Sequence, residues 1–254
     1  MASQRPVGVF DSGVGGVSVL NQLRRELPGE DFIYYGDTAN APYGTKPEAD
    51  IMRCAGQVMD HLLSEGVKSV VIACNTASAV AAQALREKHD LPIVAMEPAL
   101  KPASAIRREG SVLVLATPVT LRLPKFQRLY SLYGEGAIPV PCPGLMELVE
   151  AMDWPRAARY LSDLLSGFAL DKVDALVLGC THYVFLRPLL RELLPARIAV
   201  VDGNAGTARQ LRHVLTERGL LADRAQGSVR LQTSGSPAEV IPVMERLMAA
   251  AGEQ

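Results

Sequence analysis

The chain has 254 residues, 48% of them hydrophobic, which is enough to bury a large core as one large domain or two small ones and excludes a disordered chain. Its 26 Lys and Arg are balanced by 27 Asp and Glu, interspersed to a net charge of −1, so the basic face that nucleic-acid binding needs is missing. No Lys/Arg cluster is long enough to steer toward a membrane, and the expected partner is a small molecule.

From the N-terminus, Met1 to Pro6 leads directly into a strand-like run without the apolar core of a signal peptide. No window approaches the roughly 20 continuous apolar residues of a membrane span, so a cytoplasmic protein is expected. Four cysteines, Cys54, Cys74, Cys142 and Cys180, are then expected to be reduced thiols rather than a disulfide framework. None has Cys-x-x-Cys spacing, and a zinc site would have to assemble from distant loops, so no metal is expected.

Short β-branched runs alternate with segments of helical period, the pattern of βα units and an α/β fold with mostly parallel sheets. Val7–Phe10 reads as a strand, Asp11–Gly16 as a Gly-rich turn, and Val17–Leu27 as a helix with Val17, Leu20, Leu23 and Leu27 on one face. Phe32–Tyr35 is a second strand, followed by Gly36–Thr45, rich in turn formers and longer than a connection requires. Pro47–Ser64 fits a helix, Ser69–Ala73 a strand, Thr76–Lys88 a helix, Ile93–Met96 a strand and Lys101–Arg108 a helix. Further strands are expected at Val112–Ala116, Ile138–Val140, Ala175–Leu178 and Ile198–Val201, with helices between them. Val229–Thr233 and Pro237–Met248 add one more strand and one more helix.

The strand ends pair at a constant offset. Asp11 and Thr117, Gly36 and Pro141, Cys74 and Cys180, Glu97 and Asp202 are separated by 106, 105, 106 and 105 residues. Such agreement implies a duplication into two similar α/β halves, with Gln226–Ala250 lacking a repeat partner.

In parallel sheets ligands bind beyond the carboxyl ends of the strands, where these residues fall. If the halves face each other, Cys74 and Cys180 stand on opposite walls of one cleft. Two such thiols permit a particular chemistry, in which a thiolate removes a proton from a stereogenic carbon while a thiol delivers one to the opposite face, inverting the centre. Ser12, Asn75, Thr76, Thr117, Thr120 and Thr181 supply neutral hydroxyl and amide groups, and helix N-termini supply backbone N–H donors, for an anionic ligand. Taken singly each residue has a plainer use: a buried Cys as a small hydrophobe, Asp11-Ser12-Gly13 as a cap and turn, His182 as a core residue. Gly13, Gly15 and Gly16 do not match G-x-G-x-x-G, so a dinucleotide site is weakly supported. Cys54 and Cys142 read as structural.

Val9-Phe10-Asp11-Ser12-Gly13-Val14-Gly15-Gly16, Tyr35-Gly36-Asp37-Thr38, Pro42-Tyr43-Gly44, Ala73-Cys74-Asn75-Thr76-Ala77-Ser78 and Gly179-Cys180-Thr181-His182-Tyr183 together closely resemble the glutamate racemases of the aspartate/glutamate racemase family. The resemblance implies a cofactor-independent racemase of two α/β domains, residues 1–97 with 208–254 and residues 98–207, related by a pseudo-twofold axis with the active site in the cleft between them. It further implies that Cys74 takes the α-proton of D-glutamate and Cys180 that of L-glutamate. Asp11 would assist the first thiol and His182 the second, with Glu150 as a further acidic participant. Ser12, Pro42, Tyr43, Gly44, Asn75, Thr76, Thr117, Thr120 and Thr181 would hold the substrate, and the product would be D-glutamate for peptidoglycan. A homodimer is the base-rate expectation.

Val184, Asn40 and Gly203 depart from the family pattern, which commonly has proline, a basic residue and serine there; none removes a chemical group assigned above. Three other functions compete. An aspartate racemase would share both cysteines, but His182 stands where that enzyme tends to carry glutamate. A thiol hydrolase or transferase with His182 as base would need only one cysteine. A two-lobed binding protein would use the thiols only for packing.

Overall fold

The computed structural model describes residues 3–252. Residue contacts divide the chain into two units, Met1–Met96 with Asn204–Gln254, and Glu97–Gly203. The first contains β1 (Val7–Asp11), α1 (Val17–Glu26), β2 (Phe32–Gly36), α2 (Glu48–Ser64), β3 (Ser69–Ile72), α3 (Asn75–Lys88) and β4 (Ile93–Ala95). The second contains α4 (Leu100–Ile106), β5 (Ser111–Ala116), α5 (Pro118–Arg122), α6 (Pro124–Tyr133), β6 (Ala137–Pro141), α7 (Leu145–Glu150), α8 (Trp154–Ser166), β7 (Val173–Leu178), α9 (Arg187–Leu193) and β8 (Ala199–Asp202). The first unit then resumes with α10 (Asn204–Glu217), β9 (Val229–Thr233) and α11 (Pro237–Gly252). The return falls at Asn204, four residues before the expected 208, because α10 is one continuous helix and packs on α1.

Every strand pairing among the described residues is parallel. The sheet orders are β4-β3-β1-β2-β9 and β6-β5-β7-β8. Apart from β9, the two orders are the same when read from the first strand of each unit, so the constant offset in sequence corresponds to equivalent strands. β1 and β3 are buried at every position and almost wholly apolar, as a parallel sheet covered on both faces requires. One core cluster joins Phe10, Ile33, Ile51, Met59, Leu62, Val70, Ile72 and Leu85 beneath α2 and α3; in the other unit Leu100, Val112, Val114, Phe126 and Val177 form its counterpart. Each sheet changes winding direction beside its first strand: β2 and β3 lie on opposite sides of β1, as β6 and β7 lie on opposite sides of β5. The loops leaving β1 and β3 therefore diverge and leave a crevice at their carboxyl ends, and those leaving β5 and β7 do the same.

Several local readings differ in detail. Gly36–Thr45 contains two 3₁₀ turns, Thr38–Asn40 and Tyr43–Thr45, rather than wholly irregular chain. A 3₁₀ segment, Thr181–Leu186, separates Cys180 from α9, whereas α3 begins directly after Cys74. β6 tolerates Pro139 and Pro141 because it is an edge strand, where a missing N–H costs no ladder bond. Among the described residues no helix is long and apolar enough to cross a membrane.

Candidate active site

In the first unit, the crevice between β1 and β3 collects Asp11, Ser12 and Cys74. Asp11 ends β1, is fully buried, and its Oδ1 accepts the Gly13 N–H at 2.7 Å, closing a tight turn. A methyl on Gly16 would lie 2.6 Å from the Asp11 Cβ and 3.1 Å from the Ala73 Cβ, which is why the turn needs glycine there. The turn brings Ser12 Oγ to 3.3 Å from Cys74 Sγ. Cys74 is the N-cap of α3 and is only 7% exposed; its sulfur accepts the Ala77 N–H at 3.4 Å. A hydroxyl, a backbone N–H and the positive end of a 14-residue helix thus converge on this sulfur. The next residue, Asn75, is buried, and neither end of its amide has a hydrogen-bond partner. An unpaired buried amide is costly, and one beside a buried thiol marks a place built to meet a polar ligand. Thr76 is buried in the same first turn.

The Gly36–Thr45 loop supplies the remaining residues on this side. Tyr43 is buried and donates its hydroxyl to Asp37 Oδ2 at 2.6 Å, while Asp37 Oδ1 accepts the Asn40 amide at 3.0 Å. Burial, followed by the Asp37 hydrogen bond and charge, holds the Tyr43 phenol well above its ordinary range, with smaller contributions from Cys54 and Cys74. Tyr43 is therefore a neutral donor near the thiol. Pro42, reached through a cis peptide bond, and Gly44 flank it, both half-buried.

In the second unit, Cys180 leaves β7 with a different set of partners. His182 Nδ1 lies 3.6 Å from Cys180 Sγ, and His182 Nε2 lies 2.9 Å from Oε1 of Glu150, the last residue of α7. Burial alone would push the imidazole toward its neutral form. Hydrogen bonds to Cys180 and Glu150, and the charges of both, outweigh it and hold His182 well above the usual range, as an imidazolium donating on both sides. Thr117 caps α5, accepting the Thr120 N–H at 3.2 Å, and the two hydroxyls are 2.8 Å apart. Thr120 and Thr181 are buried, Thr117 half-buried. The Tyr183 hydroxyl donates to the Cys142 carbonyl at 3.1 Å, anchoring the turn after Cys180. Burial, with the Cys180 charge second, pushes the Cys142 thiol up to about 12, so it stays protonated and inert.

The expected residues thus form two groups: Asp11, Ser12, Pro42, Tyr43, Gly44, Cys74, Asn75 and Thr76 in one unit, and Thr117, Thr120, Glu150, Cys180, Thr181 and His182 in the other. Each group contains one thiol with its own partners, the first a hydroxyl and a helix N-terminus, the second an imidazole backed by a carboxylate. Asp37 and Tyr34 received no role from the sequence. Asp37 lies inside a quoted motif, but only the fold shows Tyr43 resting on it, and Tyr34 reads as an ordinary core aromatic until its hydroxyl is placed.

A family model described as Asp/Glu/Hydantoin racemase matches residues 7–211. A glutamate racemase from Bifidobacterium adolescentis is 45% identical over 98% of this chain and 99% of its own length. Two solved structures align along nearly the whole chain. Glutamate racemase from Thermus thermophilus, in complex with β-chloro-D-alanine, is 38% identical with a TM-score of 0.83, covering 97% of this chain and 94% of that one. Escherichia coli glutamate racemase, in complex with L-glutamate and the activator UDP-MurNAc-Ala, is 33% identical with a TM-score of 0.82, covering 95% of each. With this match across both sheets and both cysteine turns, the chain belongs to the Asp/Glu/Hydantoin racemase family.

Proposed function

We propose that the protein interconverts L- and D-glutamate by moving the α-proton between two thiols. One observation carries the reading: Cys74 and Cys180 occupy equivalent strand exits, each at the winding switch of a sheet of the same order, and each sulfur has polar partners. In the D-to-L direction the Cys74 thiolate takes the α-proton, the C–H electron pair stays on carbon, and the Cys180 thiol protonates the opposite face; L-to-D reverses the roles. Asp11 assists Cys74, while His182, held by Glu150, assists Cys180. Ser12, Asn75, Thr76, Thr117, Thr120 and Thr181, with the Pro42-Tyr43-Gly44 segment, meet the carboxylates and ammonium of the substrate. The near-complete alignment with relatives named glutamate racemase, one of them holding L-glutamate, supports glutamate over aspartate. On this reading the enzyme acts in the cytoplasm as a homodimer and supplies D-glutamate for peptidoglycan, with the two units forming its two domains.

The test is incubation with L-glutamate in D₂O without added cofactor. D-glutamate carrying α-deuterium is the expected product. Cys74→Ser and Cys180→Ser should each lower kcat by at least about 100-fold, since a serine hydroxyl is a far weaker acid than a thiol. Full activity in both variants would sink the two-thiol mechanism. The Cys180–His182 contact also suits a nucleophilic cysteine, and a covalent acyl-enzyme would favour that chemistry instead.

A further inference from the structure

Tyr34 occupies the middle of β2, pairs in register with Val9 of β1 and is completely buried. A phenol in a sheet interior needs a partner for its hydroxyl, and this one donates to the Gly13 carbonyl at 2.9 Å. Gly13 is consequently held at both ends, its N–H by Asp11 Oδ1 at 2.7 Å and its carbonyl by Tyr34. The same carbonyl is pressed against bare backbone at Gly36, where a methyl would stand 2.6 Å from the Gly13 oxygen and 2.5 Å from the Met244 Cε. Ser12 lies immediately before this clamped residue, and its hydroxyl is the one 3.3 Å from Cys74 Sγ.

We propose that Tyr34 is a positioning residue for Cys74, acting through the clamped Gly13 on the hydroxyl of Ser12. The proposal deepens the two-thiol reading and rests on it for its catalytic consequence. Fixing both peptide groups of Gly13 holds in place the backbone from which the Ser12 hydroxyl reaches the sulfur. The second unit has no tyrosine at the equivalent strand position, and the Tyr183 hydroxyl there anchors the turn after Cys180 from within that turn. At the repeat offset of 105, the partner of Tyr34 is Pro139, an exposed edge-strand residue that can donate nothing. Loss of the Tyr34 hydroxyl therefore acts on Cys74 and spares Cys180.

Tyr34→Phe removes one oxygen and leaves the ring, so the core stays filled. Its kcat should fall roughly tenfold, as a misplaced reacting group requires. The α-deuterium isotope effect should rise with D-glutamate, whose proton Cys74 takes, and not with L-glutamate. Gly36→Ala pushes the same carbonyl from the other side and should give the same signature. A second measurement needs no turnover: iodoacetamide labelling of the ligand-free protein, read by mass spectrometry. The Cys74 rate should shift by about threefold or more in Tyr34→Phe while the Cys180 rate stays at the wild-type value. A wild type that fails to racemise glutamate removes the function, yet this labelling ratio still decides whether Tyr34 governs Cys74. A folded Tyr34→Phe with wild-type isotope effects and a wild-type labelling ratio overturns the proposal, whatever its melting temperature; so does an equal change at both thiols.

Discussion

At the residue scale the two thiols differ in the groups that surround them. The sulfur of Cys74 is surrounded by a hydroxyl and a backbone N–H, neither of which titrates near neutrality, whereas Cys180 faces an imidazolium. The folded-state pKa of His182 is raised, so its contribution to stability is fully present below the unfolded imidazole value of about 6.5 and is lost as pH rises through the higher folded value. The wild type should therefore lose stability on the alkaline side of that window, and His182→Asn should show a flatter profile there. Thermal unfolding followed across the window checks this, and identical slopes would remove the imidazolium from the account. The cysteines were legible in the sequence because both sit in short, repeated strand-to-helix junctions. The role of Glu150 in holding His182 was not legible from spacing, since the two lie 32 residues apart and meet only where α7 ends beside the Cys180 turn.

At the element scale, periodicity located every strand and the helices α1 to α4 and α11, because each buries a continuous stripe or run, and left α5 to α10 only as helices between strands. α8 buries such a stripe: Ala157, Leu161 and Leu165 recur every fourth residue and are its buried positions, while Asp153 caps it by accepting the Arg156 N–H at 3.2 Å. Burial dominates capping here. Leu161→Ala should cost about 2–5 kcal/mol, and Asp153→Ala about 1 kcal/mol. Denaturant unfolding of the two variants separates the contributions, and equal losses would mean that the cap, not the apolar face, fixes the helix. The 3₁₀ segment after Cys180 escaped the pattern because its residues, Thr181 to Leu186, are all buried and so show no polar face from which to read a period.

At the scale of the whole molecule, the return of the chain after residue 203 is secured by a buried ion pair. Lys68 Nζ lies 2.6 Å from Glu30 Oε2, both side chains almost wholly buried, and the ammonium also donates to the carbonyls of Ser3 and Leu220 at 2.7 Å each. Glu30 Oε1 accepts the Ala222 N–H at 2.8 Å, so both members grip the segment between α10 and β9. Lys68→Met strands the buried carboxylate and should destabilise the protein by about 3–5 kcal/mol. Adding Glu30→Leu should recover only part of that loss, because three backbone groups still lose their partners; full recovery in thermal unfolding would show that the grip contributes nothing. The sequence by itself determined the α/β class, the duplicated halves and the pair of thiols, since hydrophobic period and register are local properties of the chain. Only the tertiary structure decided which strand the C-terminal segment pairs with, which partner each sulfur has and why Tyr34 touches the Asp11–Gly13 turn. Those depend on which distant strands lie side by side, and a hydrogen bond between residues far apart in the chain exists only once the sheet order brings them together.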